Sequence, residues 1–224
     1  MKLYFAPGAC SLAVHIALRE VGANFDAVSV DLAKSVTADG TDYRTISPRG
    51  YVPLLQLDDG SRHTEASALL QYVADLDPQQ RLIGAAGSAR RLGVVEWLTF
   101  VSTELHKVFS PWLWHKETAE STRQAVKDKL ATRFAELDAL LGTQQYLAGE
   151  YSVADAYAFT IVNWSNFLGL PLTKYPNLLA YMGRVSSRPA AQGGSVLGRH
   201  GLWLIGAVLL AVYVIVLLIV AAAR

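Results

Sequence analysis

Residues 1–22 read MKLYFAPGACSLAVHIALREVG, and the order of residue types within them decides the fold. Lys2 to Ala6 is short and carries the β-favouring Tyr4 and Phe5. Pro7-Gly8 then turns the chain, and Leu12, Ile16 and Leu18, with Ala13 and Ala17, recur at helical spacing until Gly22. This predicts a strand, a turn and a helix in succession. The chain's only cysteine, Cys10, stands where the helix begins.

Working outward, Phe25 to Val30 reads as a second strand, and Lys34 to Gly50 as a polar loop with one weak helix. Tyr51 to Leu57 is a third strand interrupted by Pro53. Asp59-Gly60 is a hairpin signal, so Ser61 to Thr64 is a short antiparallel strand, and Glu65 to Asp75 follows as a helix. Residues 1–77 therefore form a small α/β domain. Pro78 to Gly87 is a linker, after which the periodicity is helical: Ser88 to Lys116, Glu120 to Leu141, Ser152 to Phe167 and Pro176 to Ser187. Residues 88–192 form an all-α domain.

The end of the chain reads differently. Residues 193–201 form a glycine-containing connector, compatible with either an engineered linker or a natural tether. Residues 202–223, LWLIGAVLLAVYVIVLLIVAAA, carry no charge and as a helix are long enough to cross a hydrocarbon core of roughly 30 Å. This predicts a transmembrane helix, a tail anchor in the lipid bilayer. Arg184, Arg188 and Arg199 before it, against Arg224 after it, predict a single-pass protein with its globular part in the cytoplasm.

With 20 Lys+Arg against 19 Asp+Glu and no basic run interleaved with aromatics, nothing marks a nucleic-acid surface. A single cysteine excludes an intrachain disulfide, and no Cys/His spacing suits a metal. Pro7-Gly8 and the early His15, Arg19 and Glu20 break any secretory signal.

Three local features carry chemistry. Cys10 at a helix start faces unpaired backbone N–H groups and the positive end of the helix dipole, which favour the thiolate. Pro53 removes a donor from its strand; a cis Val52-Pro53 bond would turn the Val52 backbone toward a peptide-like ligand, and a trans edge-strand proline is the alternative. Glu65 opens a second helix, where orphan N–H groups can hold a carboxylate while the side chain receives an ammonium, and an acidic first-turn residue that complements the helix dipole is the alternative. Together they describe a site for a small zwitterionic thiol peptide. Ser152 and Asp155 form an S-x-x-D capping box, which we assign to folding.

APGACSLAVHIALREVG, SPRGYVPLLQLDDG, TEASALLQYVAD, EWLTFVSTELHKVFSP and YSVADAYAF, with NWSNF and YPNLLAYMGRVSSRPAAQ, cover the chain from Met1 to about Gln192. In these stretches it resembles the cysteine-bearing beta class of bacterial glutathione transferases. The resemblance implies the glutathione transferase fold: an α/β thioredoxin-like N-terminal domain plus an all-α C-terminal domain, followed here by the single transmembrane helix that the family lacks. It further implies glutathione as co-substrate in the interdomain cleft, a hydrophobic electrophile as second substrate, no metal, and a homodimer. By the same resemblance Cys10 and His106 are catalytic. Val52, Pro53, Glu65, Ala66, Lys107 and Trp164 bind substrate. Ser35 stands where the family often has a lysine for the glycyl end of glutathione, with Lys34 one place earlier. Thr99 replaces a common Asn, and Ala66 a common Gly or Ser.

The expected function is conjugation of glutathione to electrophiles on the membrane, with Cys10-dependent thiol-disulfide exchange as a second activity. The alternative is a non-catalytic transferase-fold subunit, the partner of a membrane complex.

Overall fold

A computed structural model describes residues 1–195. Strand β1 (Lys2–Phe5) leads through a turn into α1 (Ser11–Glu20), β2 (Asp26–Asp31) and the two-residue β3 (Val36–Thr37). A 3-10 turn (Tyr43–Thr45), β4 (Leu54–Gln56), β5 (Arg62–His63) and α2 (Ala66–Asp75) complete the first unit. The sheet order is β3-β2-β1-β4-β5. Strands β1 and β2 run parallel, with Leu3 opposite Ala27, and the other pairs are antiparallel. Leu3, Tyr4 and Phe5 are all buried, as befits a central strand covered on both faces.

The second unit is helical: α3 (Ala89–Phe100), a π-helical segment (Val101–His106), α4 (Lys107–Phe109), α5 (Glu120–Leu141), α6 (Val153–Val162), α7 (Trp164–Phe167), α8 (Pro176–Ser186) and α9 (Pro189–Ser195). Every residue of α6 is buried, so it forms the axis of this unit. Helix α1 packs on α2, α6 and α9, which joins the two units through one hydrophobic core. At this joint Arg188 clamps Glu20 with two hydrogen bonds of 2.6 and 2.9 Å.

Several elements differ from their sequence reading. The helix expected over 88–116 stops at Phe109, because the residue before a proline is pushed out of the helical region: Ser110 is extended (φ −114°, ψ 130°) ahead of a cis bond to Pro111. Its last full turn before α4 is wound as a π-helix, which the apolar spacing did not indicate. The helix expected over 152–167 is divided at Asn163. Strand β3 lies inside the stretch read as loop. Helix α9 runs to Ser195, three residues into the expected connector.

The expected membrane helix, 202–223, lies outside the described residues. Among the described residues no helix is long and apolar enough to cross a membrane.

Candidate active site

The turn before Cys10 is fixed from both sides. Within it, the Ser11 hydroxyl donates to the Ala6 carbonyl (3.3 Å) and accepts from the Ala6 N–H (3.2 Å). Gly8 adopts φ +76°, a conformation costly for any residue with a Cβ. From the helical unit, the Trp164 indole N–H donates to the Gly8 carbonyl at 2.7 Å. Cys10 is thereby held as the N-cap of α1.

The Cys10 thiol is buried and donates to the Val52 carbonyl at 3.3 Å. Burial pushes its pKa up to about 11, against the smaller opposing effects of its own backbone N–H, Lys107 and the Ser11 N–H; the Glu65 carboxylate pushes it further up. This corrects the expectation that the helix terminus alone favours the thiolate. The helix-end N–H groups do favour the anion, but desolvation outweighs them.

The Val52–Pro53 bond is cis, and the strand after it is confined to Leu54–Gln56. The Val52 N–H makes no hydrogen bond among the described residues, and both residues line the cleft. Glu65 precedes α2 at φ +69°, with its carboxylate exposed and paired to Arg49 at 3.3 Å. Its carbonyl accepts from the Ala68 and Leu69 N–H groups, both at 3.0 Å. The earlier N–H groups of Ala66 and Ser67 open the helix at the cleft wall.

The opposite wall comes from the helical unit. His106 ends the π-helical segment, with its Nδ1 2.6 Å from the Tyr157 hydroxyl and its ring edge-on to Trp164 at 5.1 Å. Burial, helped by the neighbouring Lys107 charge, lowers the His106 pKa to about 4, so the imidazole is neutral at pH 7. Trp114 stacks edge-on against Trp164 at 5.6 Å, and Phe167 and Pro111 extend this apolar wall. The whole forms an open cleft of about 1060 Å³ between the two units.

All eight residues singled out in the sequence line this one cleft. Tyr157, Arg44, Arg49 and Trp114 line it too and were not singled out. Tyr157 lies two residues beyond the capping box in YSVADAYAF, where its hydroxyl on a buried helix was the available signal. Ser35 reaches the cleft, whereas Lys34 is exposed and paired with Asp31 at 3.5 Å. Thr99 lies outside the cleft lining, its hydroxyl bonded to the Val95 carbonyl at 2.9 Å. The described residues hold no cluster of three or more potential metal ligands.

Two family profiles match, "Glutathione S-transferase, N-terminal domain" over residues 8–76 and "Glutathione S-transferase, C-terminal domain" over residues 100–189. Glutathione S-transferase GstA of Escherichia coli O157:H7 is 40% identical over 193 residues, covering 86% of this chain and 96% of that protein. Glutathione S-transferase GST-4.5 of Xanthomonas campestris pv. campestris is 35% identical, covering 83% and 92%. Among solved structures, a ternary complex of BphK, described as a bacterial transferase of this kind, is 48% identical with a TM-score of 0.83, covering 87% of this chain and 97% of that one. A sphingomonad glutathione S-transferase complexed with glutathione is 42% identical with a TM-score of 0.82, covering 87% and 96%.

These matches also correct the membrane assignment. The E. coli relative is matched over 96% of its length by 86% of this chain, and among the described residues no helix is long and apolar enough to cross a membrane. The single-pass, membrane-tethered placement and the membrane-complex partner are withdrawn.

Proposed function

The chain belongs to the glutathione S-transferase family and is a glutathione transferase with glutathione as its co-substrate, and from that premise we propose how its own residues bind and use that co-substrate. The α/β unit, 1–77, supplies the glutathione wall, and the helical unit, 88–192, the wall for the electrophile. The cysteinyl backbone of glutathione pairs with Val52, beside cis Pro53. The γ-glutamyl ammonium meets Glu65, and its carboxylate meets the N–H groups at Ala66 and Ser67. The carboxylate is favoured there because helix-start N–H groups are unpaired and carry the positive end of the dipole.

One observation carries this reading: the Cys10 sulfur sits 3.3 Å from the Val52 carbonyl. A tripeptide paired to Val52 brings its sulfur beside Cys10, on the side faced by Lys107. The Lys107 charge lowers the Cys10 pKa and would act likewise on a second sulfur at this place.

Conjugation follows from these placements. The glutathione thiol releases its proton to solvent through the open cleft, the thiolate forms a bond to the electrophilic carbon, and the bond to the leaving group breaks as that group departs with its electron pair. His106, neutral and hydrogen-bonded to Tyr157, and Trp164 shape the wall against which a hydrophobic electrophile rests. Cys10 acts as the hydrogen-bonding neighbour of the glutathione sulfur, since a thiol with a pKa near 11 is almost wholly protonated at neutral pH.

Thiol-disulfide exchange is a second reading, supported by the placement of Cys10 where a mixed disulfide with glutathione can form. Cys10 thiolate attacks a glutathione mixed disulfide, takes the glutathionyl group and releases the other thiol; reduced glutathione then frees Cys10 as oxidised glutathione leaves. The burial of Cys10 favours conjugation over this route.

Steady-state assay of the full chain with glutathione and an aryl halide, beside reduction of a glutathionylated peptide, separates the two. Cys10→Ala is expected to retain conjugation at reduced rate and to abolish reduction of the peptide. Loss of neither activity would overturn the placement of Cys10. A two-subunit assembly also accords with this family reading, and sedimentation at micromolar concentration tests it.

A further inference from the structure

The aromatic wall of the cleft is carried in part by a segment with no regular structure of its own. Between Phe109, where α4 ends, and Glu120, where α5 begins, the chain makes only turns, in which the Trp114 and His115 N–H groups both donate to the Pro111 carbonyl (3.0 and 3.2 Å). Leu113 is buried and pins the middle of this loop to the core, while its neighbour Trp114 lines the cleft.

One side chain gathers the loop from outside. Arg123, half-buried in the first turn of α5, donates from Nε to the Thr118 carbonyl (3.1 Å), from Nη1 to the Leu113 carbonyl (3.4 Å) and from Nη2 to the His115 carbonyl. Its side-chain hydrogen bonds among the described residues thus all go to main-chain carbonyls of this one loop, two of which flank Trp114. The planar guanidinium fork suits such a task, because its donors are fixed relative to one another; the compact ammonium of a lysine offers no such spread.

The corner that results selects a shape. The Trp114 and Trp164 rings meet at 89° with centroids 5.6 Å apart. Trp164 is only 5% exposed and is held by its bond to Gly8, whereas Trp114 is 45% exposed, so the open ring surface at this corner belongs to Trp114. A flat aromatic ring laid on that surface gains ring-to-ring attraction beyond the area it buries, and an acyclic group gains the area alone. We propose that Arg123 is a positioning residue for the second substrate: by fixing the carbonyls on either side of Trp114 it holds that ring open to the cleft, and so makes planar aryl electrophiles the favoured class. The inference rests on the electrophile wall given under Proposed function.

The test is steady-state kinetics of the full chain with glutathione and either a planar aryl halide or a small acyclic isothiocyanate. Arg123→Ala should raise KM for the aryl halide roughly three- to tenfold. Its kcat, the isothiocyanate KM and the glutathione KM should each change by less than about twofold, the pattern of a lost binding contact on one side of the cleft. Arg123→Lys should recover part of the loss, and it carries the same comparison should the alanine variant not fold. Trp114→Leu should reproduce the loss, and the double variant should show no further rise, because both changes remove the same contact. Equal rises in KM for the two electrophiles, or no rise for either, overturn the assignment of Arg123. Trp114→Leu decides what falls with it. If that variant leaves the aryl halide KM unchanged, the electrophile wall itself fails; if it raises KM while Arg123→Ala does not, only the role of Arg123 is lost.

Discussion

The indole N–H of Trp164 donates to the carbonyl of Gly8 at 2.7 Å, tying a helix of the second unit to the turn that carries Cys10. The same ring stacks against His106, Phe109 and Trp114. Trp164 is therefore both a packing residue and a strut that sets where the cysteine lies. Trp164→Phe keeps most of the ring contact and removes the hydrogen bond. It should cost about 1 kcal/mol in urea unfolding and accelerate amide exchange around residues 8–10. Unchanged exchange there would remove the strut from the account.

The elevated pKa of Cys10 gives a signed prediction. Burial penalises the thiolate, so the folded protein holds the thiol proton more tightly than the unfolded chain does. Alkylation by iodoacetamide should rise with pH toward a midpoint near 11 in the ligand-free fold, and near the ordinary 9.0 in denaturant. The same shift leaves stability untouched below pH 9 and erodes it between pH 9 and 11. Cys10→Ala should flatten that loss. A folded-state alkylation midpoint below pH 8 would mean that the helix terminus, not burial, controls this thiol.

His106 has the opposite sign. Its pKa is lowered to about 4 because burial disfavours the imidazolium, so it contributes a stability that is complete above pH 6.5 and lost as pH falls toward 4. His15, buried between Phe5 and Phe25 and accepting from Arg19 Nε, behaves in the same direction. His106→Gln should lessen the acid sensitivity of the melting temperature without abolishing it, the remainder belonging to His15 and to carboxylates held below their usual range, Glu104 and Asp77 among them. Equal acid sensitivity in the variant would show that His106 is already charged in the fold.

Asp155 anchors the buried axis. Its carboxylate accepts from the Leu147 N–H (2.9 Å), the Ser152 N–H (2.8 Å), the Ser152 hydroxyl (3.0 Å) and the Tyr181 hydroxyl (3.1 Å). Asp155→Ala strands the Leu147 and Ser152 N–H groups and the Ser152 hydroxyl in the core, while the Tyr181 hydroxyl keeps the residue 155 backbone carbonyl at 3.3 Å, and should cost about 3 to 5 kcal/mol. Ser152→Ala removes the cap on the Ala154 N–H and one of the four hydrogen bonds to Asp155, leaving the other three, and should cost about 1 to 2 kcal/mol. Chemical denaturation that ranks Ser152→Ala as the more damaging change would refute this partition.

What the sequence disclosed follows the strength of its local signals. The opening strand, turn and helix, the span 120–141 and the capping box at Ser152 and Asp155 were legible because periodicity or a capping pair defines each one locally. Strand β3 was not, since two residues carry no period, and the π-helical turn at 101–106 was not, since apolar spacing is nearly the same for both windings over six residues. Of the site, Cys10, Val52 and Glu65 announced themselves through helix starts and a proline. Tyr157, Arg44 and Arg49 did not, because their presence in the cleft depends on how distant elements pack. The thiol's pKa was misjudged for the same reason: the helix start is local, whereas the burial that overrides it is supplied by the whole core.

The measurement that reaches the central claim most directly is calorimetric titration of the full chain with reduced glutathione, with Glu65→Ala alongside. Saturable binding by the unaltered protein, weakened at least tenfold in the variant, is the predicted result. Binding of equal strength in both would contradict the account, since glutathione would then be held somewhere other than against Val52, Glu65 and the Cys10 sulfur.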